Sequence, residues 1–129
     1  MNYSLPIGNY LNNEIQNKVS HENPHKIIED VLIELRNNIN TLITCFEYKH
    51  SISEAKSNSY SKSLTAIYIL QSSLDRENGG EIAENLNDLY DYCRRTIIKS
   101  FTNKDVKSLY SVLEISNEIL EGWTSIKNI

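Results

Sequence analysis

The stretch Asn23-Pro24-His25-Lys26-Ile27-Ile28-Glu29-Asp30-Val31-Leu32-Ile33-Glu34-Leu35-Arg36-Asn37-Asn38-Ile39-Asn40-Thr41-Leu42-Ile43-Thr44-Cys45-Phe46 decides the fold of this 129-residue chain. Asn23 is a good N-cap, and Pro24 at the first helical position gives up an N–H that a helix start leaves unpaired anyway. Apolar residues then recur at Ile28, Leu32, Leu35, Ile39, Leu42 and Phe46, in alternating steps of four and three. That is the seam of a helix packed in a bundle, and Ile27, Val31 and Ile43 widen it. The spacing predicts a helix over 24–49.

The same periodicity continues downstream. A second helix is expected over 52–75, opened by a capping box of Ser51 with Glu54. Its first half is Ser-rich and a poor helix former, and its stripe runs Tyr60, Ser63, Ile67, Leu70 and Leu74. Asp75-Arg76-Glu77-Asn78-Gly79-Gly80 is the clearest break in the chain. A third helix is expected over 81–102, with Ile82, Leu86, Leu89, Cys93 and Ile97 on the seam and Ala83 and Tyr90 beside it. A fourth, over 105–122, is capped by Asp105 and carries Val106, Leu109, Leu113, Leu120 and Trp123, with Gly122 as its expected end. Short connections make successive helices antiparallel neighbours. The expectation is therefore all-α: a four-helix bundle over 23–129, preceded by a flexible N-terminal arm or short extra helix over 1–22.

Composition agrees and excludes several classes. Only 4 Gly and 2 Pro are present, too few for a sheet protein rich in turns. Lys and Arg number 13 against 17 Asp and Glu, a net charge of −4, which argues against nucleic acid and anionic membrane surfaces. No apolar run approaches a membrane span, and mean hydropathy is −0.44. The N-terminus lacks the basic start and apolar centre of a signal peptide, so a cytoplasmic protein is expected. Cys45 and Cys93 are then read as buried thiols rather than a disulfide.

The motifs that could carry chemistry each fall short. Glu47-x-x-His50 is the type of pair that builds di-iron sites in bundles, but its one other match, Glu22-x-x-His25, is interrupted by Pro24. Asp75 to Leu86 resembles a calcium loop only until positions five and twelve, which are Gly79 and Leu86. Both cysteines lie on apolar stripes, away from an electropositive setting that would activate a thiol. Arg94-Arg95 suits the helix dipole as a solvated pair. The reading is no enzyme, no metal and no cofactor. What remains points to binding: Ile7 and Tyr10 lie in the arm, off the bundle seam, and Tyr68, Tyr92 and Tyr110 lie off the main stripes.

The run Ser73-Leu74-Asp75-Arg76-Glu77-Asn78-Gly79-Gly80-Glu81-Ile82-Ala83-Glu84-Asn85-Leu86, continuing to Leu89-Tyr90-Asp91-Tyr92, resembles the signature SLDxExGGEIAxNLxxLYDY of the flagellar secretion chaperone FliS family. Asn23-Pro24-His25-Lys26-Ile27-Ile28-Glu29 is similar to that family's SPHxLIE start, and Arg95, Ile97-Ile98, Asp105, Trp123 and Ile7-x-x-Tyr10 match further landmarks. The resemblance implies a cytoplasmic export chaperone. It would bind the disordered C-terminal segment of flagellin, prevent premature polymerisation and assist delivery to the flagellar type III secretion apparatus. It implies an antiparallel helical bundle whose client wraps outside, with the N-terminal arm covering part of the surface in the free state. The residues expected to contact the client are the off-seam Leu64, Tyr68, Ala83 and Tyr90, together with Ile7 and Tyr10 of the arm. The alternative expectation is a regulatory adaptor that sequesters a flagellar gene regulator such as an anti-sigma factor. A bundle that has lost its ligand is a third. The chain departs from the family after Glu29, where Asp30, Leu32 and Glu34 replace an apolar residue, an aromatic and a glycine of MLYDGA. Those replacements imply shifted packing of the first helix.

Overall fold

The computed structural model describes residues 23–48 and 53–126. Among them are four helices: α1 Pro24–Glu47, α2 Ser53–Ser72, α3 Arg76–Asn103 and α4 Lys107–Ser125. Each packs on the next, and α4 closes back on α1, which makes the antiparallel four-helix bundle expected from the periodicity. No strand occurs among the described residues. The arm over 1–22, with Ile7 and Tyr10, lies outside the described residues, as do Ser51 and His50.

Helix α1 starts where the sequence places it. The Asn23 side chain accepts a hydrogen bond from the Lys26 N–H at 2.9 Å, and Pro24 occupies the first turn. Leu32, Leu35, Ile39 and Leu42 of its seam are fully buried. Each such side chain contributes about 1.5–3 kcal/mol by leaving water. The departures from the family pattern leave this core intact. Glu34 points to solvent and accepts from the Asn38 amide, and half-buried Asp30 pairs with Lys26 at 3.2 Å.

Helix α2 buries small residues where α1 leans most closely on it: Ser59, Ser63 and Ala66. The Ser63 hydroxyl donates to the Ser59 carbonyl at 2.8 Å, so the polar group is satisfied within its own helix. At the loop end of these helices Phe101 stacks on Tyr60 at 3.9 Å and meets Phe46 edge-on at 6.4 Å, with the Lys56 ammonium over the Phe46 ring.

The Asp75–Gly80 break is shorter than its sequence suggests. Asp75 caps α3 by accepting from the Asn78 N–H at 3.1 Å, so Arg76–Gly79 already form a helical turn and α3 begins at Arg76 rather than Glu81. That cap also lowers the Asp75 pKa, because its hydrogen bonds to Asn78 favour the charged form. Gly80 then breaks the spiral with φ 53° and ψ −129°, a conformation open essentially to glycine. A Cβ on Gly79 would sit 2.8 Å from the Ala83 Cβ, so the neighbouring glycine is needed for space.

At the far end of α3, Lys104 turns left-handed and Asp105 N–H closes onto the Ser100 carbonyl. Asp105 then accepts from Lys107 N–H at 3.1 Å, but Val106 is the residue that flanks α4, without a side-chain cap, and the helix begins at Lys107 instead of Asp105. Helix α4 passes through Gly122 and ends at Ser125, three residues beyond its expected end. A single glycine with helical neighbours lowers helix stability without stopping it.

Candidate binding surface

The seam of α3 differs from its sequence reading, and the difference creates a surface. Ile82 is 72% exposed and Leu89 38%, whereas Ala83 and Tyr90, expected beside the seam, are buried at 4% and 3%. Leu86, Cys93 and Ile97 belong to both rows, so core contact continues whichever row faces in. Ile82 stands five turns from buried Ser100 on the same face of α3, so its exposure reflects what covers that end of the helix and not the direction it faces.

Polar contacts show where this outward row points. The Ser100 and Ser108 hydroxyls meet at 3.1 Å, and the Tyr92 and Ser111 hydroxyls at 3.3 Å, both between α3 and α4. Continuing each helix from those contacts toward the start of α3, the facing positions become Leu89, Leu86 and Ile82 on α3, and Ile115, Ile119 and Gly122 on α4. Leu86, Ile115 and Ile119 are half-buried and rest on the core. A Cβ added at Gly122 meets nothing within 4 Å. The seam between the two helices therefore carries an apolar strip, the α3–α4 groove, with Ile82 and Leu89 exposed and open space at Gly122.

A second apolar surface lies on α2. Leu64 is half-buried against the core, and Tyr68, one turn on, is 42% exposed. Of the six residues expected from sequence to contact a client, these two carry accessible surface on the bundle. Ala83 and Tyr90 lie beneath the surface, and Ile7 and Tyr10 lie outside the described residues. Exposed Ile82 and Leu89 were hidden by their own hydrophobicity, which reads as core at helical spacing.

Several titratable groups have structural partners or are buried. Arg94 and Arg95 both bond Asp91 and hold its carboxyl below the usual carboxylate range. The Tyr110 hydroxyl donates to Glu47, which raises the phenol pKa and ties α4 to the end of α1. Burial pushes the Cys93 thiol and the Tyr90 phenol each up to about 12, so neither ionises near neutrality. Among the described residues, no group of three His, Cys, Asp or Glu is placed to hold a metal ion, and no helix is long and apolar enough to cross a membrane.

The described residues define the class of antiparallel four-helix bundles, here with exposed apolar side chains on α2 and along the α3–α4 seam. Within that class the chain belongs to the FliS family: the profile of "Flagellar protein FliS" matches residues 7–129. Curated relatives agree. The chain is 30% identical over 118 residues to the flagellar secretion chaperone FliS of Salmonella typhimurium, covering 91% of this chain and 86% of that protein. It is 31% identical over 116 residues to that of Vibrio cholerae, covering 87% and 81%. To flagellar secretion chaperone FliSB of Pseudomonas aeruginosa it is 30% identical over 114 residues, covering 88% and 89%.

Proposed function

We propose that this chain is a flagellar export chaperone that holds the C-terminal segment of flagellin in the cytoplasm, prevents its premature polymerisation and delivers it to the flagellar type III secretion apparatus. No catalytic step is involved. Membership of the FliS family supports the class of function, and the exposed row of Ile82 and Leu89 beside α4 is the observation that carries the binding mode.

The physics is helix-in-groove recognition. A disordered segment with apolar residues at i, i+3 or i+4, and i+7 gains helix as it lays that stripe along an apolar groove. Folding on binding costs ordering entropy, so the complex is held firmly enough to block self-assembly yet remains releasable. Leu64 and Tyr68 offer a second station on α2, so an extended client can reach around the bundle. Ala83 and Tyr90 act from below, by fixing the backbone that carries Ile82 and Leu89. Ile7 and Tyr10 serve as a displaceable cap that covers apolar surface until the client arrives. The regulator-sequestering alternative gains no support from the relatives, which are named as secretion chaperones.

The deciding experiment is a titration of the purified full chain with the C-terminal segment of flagellin from the same organism. Binding in the micromolar range or tighter is expected, with helical circular dichroism increasing on complex formation. Absence of binding at tens of micromolar sinks the proposal. Removal of residues 1–20 should leave binding unchanged or stronger; a loss would show that the arm contributes contacts instead of covering them.

A further inference from the structure

The charge of this chain is unevenly distributed along α3 and α4. Residues 77–93 and 108–126 hold eight of the 17 acidic residues and none of the 13 Lys and Arg. The remaining nine acidic residues stand against 13 basic ones, so these two segments carry a formal −8 and the rest of the chain +4, with Asp91 alone of the eight paired among the described residues, to Arg94 and Arg95. The placement is also regular. Glu81 precedes exposed Ile82, Asp88 precedes Leu89, Glu114 precedes Ile115 and Glu118 precedes Ile119. One residue back is a 100° turn of the helix, which on both helices leads away from the core. Each wall is thus an apolar row next to the core with an acidic row on its solvent side. All four carboxylates are on exposed residues, and none of them makes an ion pair among the described residues.

We infer that the occupant of this groove is an amphipathic helix whose apolar stripe is flanked on both sides by Lys or Arg. Resting on the reading of the groove as a client site, this names the chemistry of the segment it takes. The free protein bears like-charge repulsion, since Glu114 and Glu118 stand four residues apart. A basic-flanked helix removes that repulsion while covering Ile82, Leu86 and Leu89. An acidic-flanked helix of the same hydrophobicity meets it on both walls, so the rows discriminate between clients as well as attract one. They also repel phosphate, so a nucleic acid or anionic membrane is the wrong occupant. Because the carboxylates stand in water, their contribution is screened by salt over a Debye length of about 8 Å at physiological ionic strength.

The test uses the full chain and three probes. Two are synthetic amphipathic peptides with leucines at i, i+3, i+4 and i+7, one flanked by lysines and one by glutamates; the third is the flagellin C-terminal segment. The lysine-flanked peptide should bind at least about tenfold more tightly than the glutamate-flanked one, and should weaken about tenfold between 50 and 500 mM NaCl. The triple variant Glu114→Gln, Glu118→Gln, Glu121→Gln changes only exposed groups and relieves their mutual repulsion, so it should keep or slightly raise its urea midpoint and lose about fivefold to tenfold in affinity for that peptide. Gly122→Trp, which fills the open wall, should abolish binding of the peptide. Equal affinity for the two peptides, or indifference of the triple variant, overturns the inference. The two readings fail separately. If flagellin does not bind but the lysine-flanked peptide does, the cargo assignment falls and the groove chemistry stands. If flagellin binds with no response to salt or to the triple variant, the cargo assignment stands and the groove chemistry falls.

Discussion

His25 and Trp123 hold the first turn of α1 to the last turn of α4 by reciprocal hydrogen bonds, each 2.9 Å long. The Trp123 indole N–H donates to the His25 carbonyl. The His25 Nε2 meets the Trp123 carbonyl, which can only accept, so that nitrogen carries a hydrogen. The rings stack at 4.7 Å with 12° between their planes. Ninety-eight residues separate the two in sequence, and their pairing closes the bundle at the end where the α3–α4 groove opens.

This pairing sets the first prediction. Trp123→Phe keeps the stacked ring and deletes the N–H, leaving the His25 carbonyl without its indole partner. The loss should be about 0.5–1.5 kcal/mol, the net value of one such bond. Trp123→Ala also empties a half-buried site and should cost about 2–3 kcal/mol, below the range for a fully buried tryptophan. Urea unfolding followed by far-ultraviolet circular dichroism measures both without relying on tryptophan fluorescence. Equal stability of the three proteins would show that the latch is idle.

The glycines separate by position. Gly80→Ala forces a side chain into φ 53°, ψ −129°, and should lose at least about 1–3 kcal/mol. Gly79→Ala drives a Cβ to 2.8 Å from that of Ala83 and should also destabilise. Gly122→Ala has open space and lies in the last turn of a helix, so it should stabilise by about 0.5 kcal/mol. Three denaturation curves check the ordering, and a stable Gly80→Ala would contradict the kink.

The fold was legible because α1 repeats one stripe over about five turns, and because Asn23 is a capping residue in a capping place. The groove was not. On α3 the rows Ile82-Leu86-Leu89-Cys93-Ile97 and Ala83-Leu86-Tyr90-Cys93-Ile97 share three residues and both have helical spacing. Hydrophobicity favours the first row, yet the structure buries the second. What decides is which row the neighbouring helices cover along α3, which its own sequence does not give; the kink at Gly80 is local to the helix start. The same kink explains why Asp75–Gly80 reads as a loop and folds as a capped turn. The acidic rows, by contrast, are present in the sequence at fixed offsets from Ile82, Leu89, Ile115 and Ile119. Their meaning depends on knowing that those four residues line one groove.

Cys93 gives a prediction in pH. Its folded-state pKa is raised by burial to about 12 from 9.0, and that of Tyr90 to about 12 from 10.0. The unfolded chain therefore releases these protons first. The contribution to stability is fully present below about pH 9 and is lost as pH rises from there toward 12. At pH 10 the loss relative to pH 8 should be about 2 kcal/mol, most of it from the thiol. Cys93→Ala should start less stable at pH 8 and fall less steeply. Urea midpoints at the two pH values provide the measurement; parallel pH slopes for wild type and variant would exclude the thiol as the cause.

The two apolar surfaces can be told apart by residues that fold does not need. Ile82 is so exposed that Ile82→Ala should change stability by less than about 0.5 kcal/mol. Leu89→Ala should cost somewhat more, since part of its surface is covered. Both remove contact area from the α3–α4 groove, and each should weaken flagellin-segment binding by about 1 kcal/mol or more if the groove is the main station. Tyr68→Ala tests the α2 surface in the same way, while Tyr90→Phe, deep in the core, should leave affinity unchanged. Calorimetric titration of the four variants ranks the stations directly. A client that wraps the bundle responds to both sets, with effects that add because α2's outer face and the groove share no side chain. A client held by one groove responds to Ile82 and Leu89 alone. Loss confined to Tyr68 would move the client to α2, and the exposed row on α3 would then need another partner.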